Sequence, residues 1–252
     1  MLESIIILLV GFFAGCLNTL AGGGSFLVLP VLIFMGLPPV IANATNRVAI
    51  VVQNISALIG FKKQGINNIK YSLQLALITT VGTIIGVWLA LHISGKDFKK
   101  ILSILMVLAL FFIFKKPGKK ESAEKQFSTK NKVLSGVTFF FIGIYGGFIQ
   151  SGVGFLILTA LTLINNFNLV KANSIKVGII SIYTLVAVAI FAAKSKIYWD
   201  YAMVLAIGNA CGGFVGSYLA VLKGSEWIRK IVILAILVMA IKLSGIIPLL
   251  YH

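Results

Sequence analysis

The chain contains two long stretches without a single charged residue. One lies between Glu3 and Arg47, and the other lies between Lys132 and Lys171. A membrane-spanning helix needs about 20 apolar residues, so each stretch is too long for one span. Only 11% of the residues are charged, against about 25% in soluble domains. The sequence therefore predicts an all-α polytopic membrane protein.

One constant offset in residue number, the difference between Gly22 and Gly152, relates the two halves of the chain. This repeat offset matches residues that seldom coincide by chance, namely Gly22 with Gly152, Gly24 with Gly154, Asn43 with Asn173, and Lys100-Ile101 with Lys230-Ile231. Seven lysines, two glutamates and a proline mark a linker between the halves at 115–132. We predict a duplication, with a first repeat at 1–114, the linker at 115–132 and a second repeat at 133–252.

Each predicted repeat contains five apolar segments. Their bounds are about 4–20, 26–36, 41–61, 71–93 and 98–114 in the first repeat, and about 133–149, 155–166, 172–193, 199–222 and 227–249 in the second. The second segment of each repeat is short, since about 11 residues at 1.5 Å rise cover about 16 Å. That is about half of a 30 Å bilayer core, so we predict short broken helices near the midplane.

Five segments per repeat is an odd number, so the second repeat would enter the membrane from the opposite side. Inverted repeats place 15 Lys and Arg residues on one side and 7 on the other, whereas parallel repeats give about 12 and 10. Positive residues accumulate on the cytoplasmic side of a membrane. We therefore predict two inverted repeats of five membrane segments each, with a cytoplasmic linker and both termini outside.

A glycine-rich turn precedes each short segment, with the sequence GGGS at 22–25 and SGVG at 151–154. In transporters built from inverted repeats, such interrupted segments surround a substrate site at the midplane. Helix N-termini attract anions because their first N–H groups lack backbone partners. Two such termini at one cavity predict an anion site. Arg47 and Lys176 would supply countercharge, since no carboxylate lies near either in the sequence.

The predicted substrate-binding residues belong to these turns, to the residues before them and to the starts of the third segments. They are Asn18, Gly22, Gly23, Gly24, Ser25, Asn43, Thr45, Asn46, Arg47, Gln150, Ser151, Gly152, Gly154, Asn173 and Lys176. By contrast, we expect the glycine pairs at Gly82 and Gly86, and at Gly212 and Gly216, only to let helices pack closely.

Each of these assignments has an alternative that the sequence leaves open. The glycine turns could serve packing alone. Arg47 and Lys176 could extend their charges to the membrane interface. Asn43 and Asn173 could be helix N-caps instead of substrate ligands.

Composition and motifs argue against several other functions. The formal charge of +16 is spread over short segments between apolar runs, so no basic face for nucleic acid is indicated. Cys16 and Cys211 fall inside apolar segments, which predicts free thiols and no disulfide or metal site. His92 and His252 are the only histidines, and paired membrane carboxylates and metalloprotease motifs are absent. We therefore predict a protein that is not an enzyme and has no cofactor.

Three stretches together resemble the sulfite exporter TauE/SafE family. They are GCLNTLAGGGSFLVLP at 15–30, MGLPP at 35–39 and ANATNR at 42–47, with an echo GGFIQSGVG at 146–154 in the second half. The echo departs from a triple glycine at Val153. The resemblance covers essentially the whole chain. It implies a multi-pass permease of the bacterial plasma membrane that moves sulfite, sulfoacetate or related anions, usually outward, with the glycine turns facing the substrate.

These observations together predict a secondary transporter of small sulfur-containing oxyanions, such as sulfite or organosulfonates. It would work by alternating access, with one repeat rocking against the other around a fixed site. Its partners would be the small anion and the lipid bilayer, and a homo-oligomer is left open. The alternatives are a permease for another small anion or for a cation, a passive anion channel, and a membrane-embedded partner subunit.

Overall fold

The computed structural model describes residues 2–114 and 129–222, with side chains from 2–105 and 131–222. Within these ranges the fold is all helical, without strands. The helices are α1 (Leu2–Leu20), α2 (Ser25–Phe34), α3 (Pro39–Lys63), α4 (Ile69–His92), α5 (Gly95–Phe114), α6 (Thr129–Phe148), α7 (Val153–Leu163), α8 (Leu169–Ala193) and α9 (Trp199–Leu222). The segment predicted at 227–249 lies outside the described residues, as does most of the linker at 115–132.

The first nine predicted segments are confirmed as helices, with ends that differ by a few residues. The repeat offset found in the sequence carries the bounds of α3 onto those of α8, and the bounds of α4 onto those of α9. The short helices α2 and α7 have 10 and 11 residues. At 1.5 Å per residue they are about 15 Å and 16 Å long, or about half a bilayer core.

Four of the described helices, namely α1, α4, α8 and α9, are long and apolar enough to cross a membrane. Helix α3 is as long as α8, but its polar start lowers its hydropathy. The outward faces are apolar, as at Leu77, Val81 and Trp88 of α4, whereas Thr79 and Thr83 of the same helix are buried. Apolar side chains outside and polar ones inside are what lipid surroundings favour.

Glycines four residues apart let the helices of two pairs touch backbone to backbone, α1 with α9 and α4 with α6. A Cβ atom on Gly11 of α1 would lie 2.8 Å from the carbonyl oxygen of Leu205 on α9. A Cβ atom on Gly143 of α6 would overlap the carbonyl oxygen of Thr79 on α4. The glycine pairs predicted to serve packing form part of these contacts, at Gly82, Gly86, Gly212 and Gly216.

These contacts interleave the two halves of the chain. Helix α1 of the first half lies against α9 of the second, and α6 of the second half lies against α4 of the first. Helices α3 and α8 pack against each other between the pairs, while α3 also contacts α9 and α8 also contacts α4. The turns before α2 and α7 are thereby brought to the middle of the structure.

Candidate functional site

The two glycine turns meet through their backbones. A Cβ atom on Gly22 would overlap the backbone of Gly154, and a Cβ atom on Gly154 would overlap the Cα atom of Gly22. Gly22 also has φ +84° and Gly152 has φ +78°, in the left-handed region that favours glycine. Packing is therefore one role of these glycines, and their contact places the starts of α2 and α7 side by side.

The end of α1 is held by a lysine from the other half of the chain. The ammonium of Lys176, on α8, donates to the carbonyl oxygens of Asn18 and Thr19 at 2.8 Å each and to Oδ1 of Asn173 at 2.7 Å. Lys176 is fully buried. The α-helix dipole places partial negative charge at a helix C-terminus, so the position of this cation is electrostatically favourable.

The end of α6 is held in the same way by residues of α3. The guanidinium of Arg47 donates to the carbonyl oxygen of Gly147 at 2.7 Å and to Oε1 of Gln150 at 3.2 Å. Asn43 donates to the carbonyl oxygen of Phe148 at 3.0 Å. Arg47 is fully buried and lies 5.2 Å from the centre of the Phe191 ring. Each half of the chain therefore caps a helix of the other half with a buried cation.

Both cations are fully buried and bind polar groups inside the protein, so neither extends its charge outward to solvent or lipid as the membrane-interface alternative requires. The N-cap alternative is also wrong, because Asn43 and Asn173 lie inside α3 and α8 and bond elsewhere. Asn168 caps α8 instead. In the described part of the chain, neither cation is hydrogen-bonded or ion-paired to a carboxylate.

A small cavity lies where the glycine turns meet. Its lining comes from both halves and consists of Asn18, Gly22, Ser25, Ile50, Asn54, Gln150, Val153, Gly154 and Ile180. The space open to the centre of a water molecule is about 10 Å³, which is room for about one water. Five of the predicted site residues line this cavity. In the described conformation it is too small for an oxyanion with four heavy atoms.

The cavity wall contains hydrogen-bond donors without partners in the described structure. The backbone N–H groups of Ser25 and Gly154, at the starts of α2 and α7, donate no helical or turn hydrogen bond within the described ranges. The Nδ2 atom of Asn18 is buried without a partner, while its Oδ1 atom accepts from the N–H of Gly24 at 2.8 Å. The other N–H groups at the start of α2 do bond, so the expectation of unpaired helix starts holds only in part.

Gln150 joins the cavity to the second cation. It has φ +59°, a left-handed conformation that costs a residue other than glycine about 1 kcal/mol. Its Oε1 atom accepts from Arg47, and its Nε2 atom donates to Oγ1 of Thr184 at 3.3 Å. Backbone strain of this kind persists only where the surroundings hold it, commonly at functional sites.

Several predicted site residues do not line the cavity. Oγ1 of Thr45 accepts from the N–H of Tyr198 at 3.0 Å and so fixes the α8–α9 loop. Both side-chain polar atoms of Asn46 and the Oγ atom of Ser151 are buried without a partner. Gly23 and Gly152 are buried in the turns, where Gly152 packs against the ring of Phe26.

Four lining residues are not among the predicted substrate-binding residues, although the polar side chain of Asn54 in the middle of the third segment was a sign that it could line a cavity. They are Ile50, Asn54, Val153 and Ile180. Ile50 and Ile180 are related by the repeat offset, so the internal repeat was a signal that could have found them. Among the described residues, no three His, Cys, Asp or Glu side chains are grouped to hold a metal ion.

Comparison with known proteins places the chain in one family. Residues 7–243 match the family described as Sulfite exporter TauE/SafE. The probable membrane transporter protein YfcA of Escherichia coli (strain K12) is 26% identical over 240 residues, covering 94% of this chain and 88% of that protein. A probable membrane transporter protein of Haemophilus influenzae is 28% identical over 240 residues, covering 94% and 93%. No solved structure matches the chain.

The relatives span nearly the whole chain and carry the name of transporters. The apolar helices and the polar interior agree with that description. The chain is a multi-pass membrane transporter, not an enzyme, and it belongs to the sulfite exporter TauE/SafE family.

Proposed function

We propose that this transporter moves small sulfur-containing oxyanions, sulfite or organosulfonates, across the bacterial plasma membrane by alternating access. The observation that carries the proposal is the pair of buried cations, Arg47 and Lys176, each one hydrogen bond away from the cavity wall. A buried charge is costly unless it is both hydrogen-bonded and paired with an opposite charge. A substrate anion in the cavity would supply the negative charge that the described protein residues do not.

A count of the local charges supports an anion over a cation. The C-termini of α1 and α6 each contribute about half a negative charge, and the N-termini of α2 and α7 each contribute about half a positive one. These four contributions cancel approximately. The charges of Arg47 and Lys176 remain, so the surroundings of the cavity are positive.

The cation alternative would need free backbone carbonyls at the broken helices, as sodium sites in transporters do. At the end of α1 those carbonyls, on Asn18 and Thr19, already bind the ammonium of Lys176. At the end of α6 the carbonyls of Gly147 and Phe148 bind Arg47 and Asn43. The donors in the cavity wall, by contrast, are free to bind an oxyanion.

Alternating access would enlarge the cavity on one side at a time. We propose that the moving units are not the two sequence repeats, because the glycine contacts join α1 to α9 and α4 to α6 across the halves. One unit would contain α1, α3 and α9, and the other α4, α6 and α8. They would move at the contact between α3 and α8 and at the two glycine turns.

The proposed topology retains two inverted repeats, at 1–114 and 133–252, with the linker at 115–132 in the cytoplasm and the termini outside. Arg47 and Lys176 were included in the division of positive residues between the two sides, but both are buried in the core. Leaving out one from each side changes the division of positive residues from 15 and 7 to 14 and 6. The asymmetry that supports inversion therefore does not depend on them.

The direction of transport follows from the membrane potential. An inside-negative potential favours export of a monovalent anion by about 2.3 kcal/mol per 100 mV, so export requires no ATP. A weakly acidic oxyanion such as bisulfite can also carry its own proton.

Reconstitution in liposomes tests the proposal. Labelled sulfite uptake would be followed with and without an imposed potassium diffusion potential. The assay would be run at alkaline pH, where sulfite stays ionic, because the neutral sulfur dioxide that forms in acid crosses bilayers unaided. Unlabelled sulfate and organosulfonates would serve as competitors, and protein-free liposomes as the control. We expect saturable, potential-sensitive flux with counterflow. Flux without saturation or counterflow would indicate a channel, and no flux of any tested anion would overturn the proposal in favour of a cation carrier or partner subunit.

A further inference from the structure

The two buried cations differ in whether they can lose a proton. An ammonium has three N–H donors, and Lys176 uses all three on Asn18, Thr19 and Asn173. A neutral amine has only two donors and one lone pair, so it could not satisfy the same three oxygen atoms. Lys176 is therefore protonated in the described conformation, and loss of the proton would release one of these contacts.

The contact that Lys176 makes with α1 leads directly to the cavity. Asn18 accepts from Lys176 through its carbonyl oxygen and from the N–H of Gly24 through its side chain, and it lines the cavity. Thr19, the next residue, accepts from Lys176 and from Nε2 of Gln53. The charge on Lys176 thus fixes the end of α1, the first glycine turn and one cavity wall together.

The cation at the other half-site cannot respond in this way. A guanidinium is not deprotonated in proteins, so Arg47 holds the end of α6 at every pH at which the protein is folded. A change in protonation would loosen the end of α1 and leave the end of α6 in place.

Resting on the proposed anion transport, we propose that Lys176 is the proton-coupling residue of the transporter. When the cavity opens to one side, Nζ gives one proton to water there, and the neutral amine releases the end of α1. When the cavity opens to the other side, the amine takes one proton from water and the three contacts form again. One proton is carried per cycle, and no other bond is made or broken.

Among the described residues, no second titratable group is hydrogen-bonded to Lys176. Helix α8 packs against α1, α3, α4, α6, α7 and α9. Their described titratable and charged side chains, with those of α8 itself, are Glu3, Cys16, Arg47, Lys62, Lys63, Lys70, Tyr71, His92, Lys132, Tyr145, Lys171, Tyr183, Asp200, Tyr201, Cys211 and Tyr218. None of these is a hydrogen-bond partner of Lys176 in the described structure.

A cysteine in the cavity wall can report the opening without any substrate. Ser25→Cys would be introduced into a protein carrying Cys16→Ala and Cys211→Ala, and its reaction with a water-soluble methanethiosulfonate reagent would be timed from about pH 6 to about pH 9. The same reporter would be placed in a Lys176→Arg protein. The reporter thiol ionises in both proteins, so its own ionisation cancels in the ratio of the two labelling rates. The pH dependence that remains in the ratio reports the protonation of Lys176.

We expect the ratio of the Lys176 rate to the Lys176→Arg rate to rise with pH, by up to about tenfold per pH unit, because one proton is linked to opening. A ratio that stays constant across the series would overturn the proposal. If the arginine variant does not fold, Lys176→Met serves instead. Its neutral side chain should give fast labelling at all pH values, with a ratio to the Lys176 protein that approaches one at alkaline pH.

The labelling result and the transport result are separate. A pH-dependent ratio without anion flux would leave Lys176 as a proton switch and remove the proposed anion function. Anion flux with a constant ratio would keep the proposed function and remove the proton role.

Discussion

The ends of α1 and α6 perform the same structural task with different chemistry. Each precedes a glycine turn, and each is capped by a buried cation from the third helix of the other half. The single Nζ atom of Lys176 donates to three oxygen atoms. Two different guanidinium nitrogens of Arg47 donate to one acceptor each, and the guanidinium lies near the ring of Phe191. The difference teaches that the two halves form the same kind of cap with cations one position out of register in the repeat, and that only the lysine can lose its proton.

The turns that follow differ in how they are held. The first turn has three glycines. It is held by a hydrogen bond that the N–H of Gly24 donates to Oδ1 of Asn18. In the second turn the hydroxyl of Tyr145 donates to the carbonyl oxygen of Ser151 at 2.6 Å, and Gln150 adopts a left-handed conformation. The two walls of the cavity are therefore chemically unequal, as Val153 in the second turn already indicated.

The largest effect should follow from a change at the contact that both turns share. Gly154→Ala would place a methyl group inside the backbone of Gly22, which would force the turns apart at a cost of about 1–3 kcal/mol. We expect loss of transport. Gly136→Ala is the matched control in the same half, because its Cβ atom would lie 3.7 Å from Cδ1 of Ile78. Equal transport by the two variants would contradict the role of the contact.

A carboxylate beside each cation would sharpen the comparison of charges. Gln150→Glu would give Arg47 an ion-pair partner, and Asn173→Asp would give one to Lys176. Both substitutions keep the shape of the side chain, so we expect folded proteins. The substrate anion would lose its countercharge, and its affinity should fall by about tenfold or more, equivalent to about 1.4 kcal/mol.

Gln150→Glu should have the larger effect of the two because Gln150 lines the cavity and Asn173 does not. Competition by unlabelled sulfite in the flux assay measures the affinity. Unchanged affinity in both variants would remove the countercharge role of the cations.

Exchanging the type of cation should have a smaller effect, mainly on stability. In Arg47→Lys, a compact ammonium would replace a planar group that reaches both Gly147 and Gln150. One buried acceptor would be left without a donor, which costs about 1–3 kcal/mol. Thermal unfolding of the purified protein in detergent should show a lower midpoint. An unchanged midpoint would mean that the fork geometry of Arg47 is dispensable.

The smallest effects should come from the hydrogen bonds between glutamine and threonine in each half. Gln150 donates to Thr184 and Gln53 donates to Thr19, at 3.3 Å and 3.2 Å. Thr184→Val and Thr19→Val keep the side-chain shape and each leave one glutamine N–H without its acceptor, which should cost about 1 kcal/mol, the low end of the range for an unpaired buried group, because both bonds are long. We expect transport to be retained. Thr19 neighbours Asn18 at the end of α1, the end to which we assign the greater mobility. We therefore expect Thr19→Val to reduce flux more than Thr184→Val does, and the opposite order would contradict that assignment.

Much of the fold could be predicted from the sequence because its signals are local or periodic. Long uncharged stretches predict membrane helices, and the repeat offset places α8 and α9 once α3 and α4 are known. The turns at Gly22 and Gly152 were likewise visible as glycine clusters before short helices. The pairing of α1 with α9 was not predicted, because the contact between Gly15 and Asn209 joins residues that nothing in the local sequence connects.

The candidate site was predicted less completely, for three physical reasons. Lys176 was predicted as a countercharge, but its alternative role at the membrane interface stayed open, because only its three contacts with buried oxygen atoms, two of them on α1, distinguish it from Lys171 nearby. Ile50 and Ile180 line the cavity, but apolar residues in an apolar helix carry no sign of function. Thr45 has a polar side chain in the right region, yet it bonds to the α8–α9 loop.

The central claim is that an oxyanion passes through the cavity between the two glycine turns. The most direct test is labelled sulfite counterflow in liposomes containing the unchanged protein, the Gly154→Ala variant or the Gly136→Ala variant at equal amounts. We predict saturable counterflow for the unchanged protein and for Gly136→Ala, and none for Gly154→Ala. Counterflow that survives Gly154→Ala, or no anion flux through the unchanged protein, would contradict the claim.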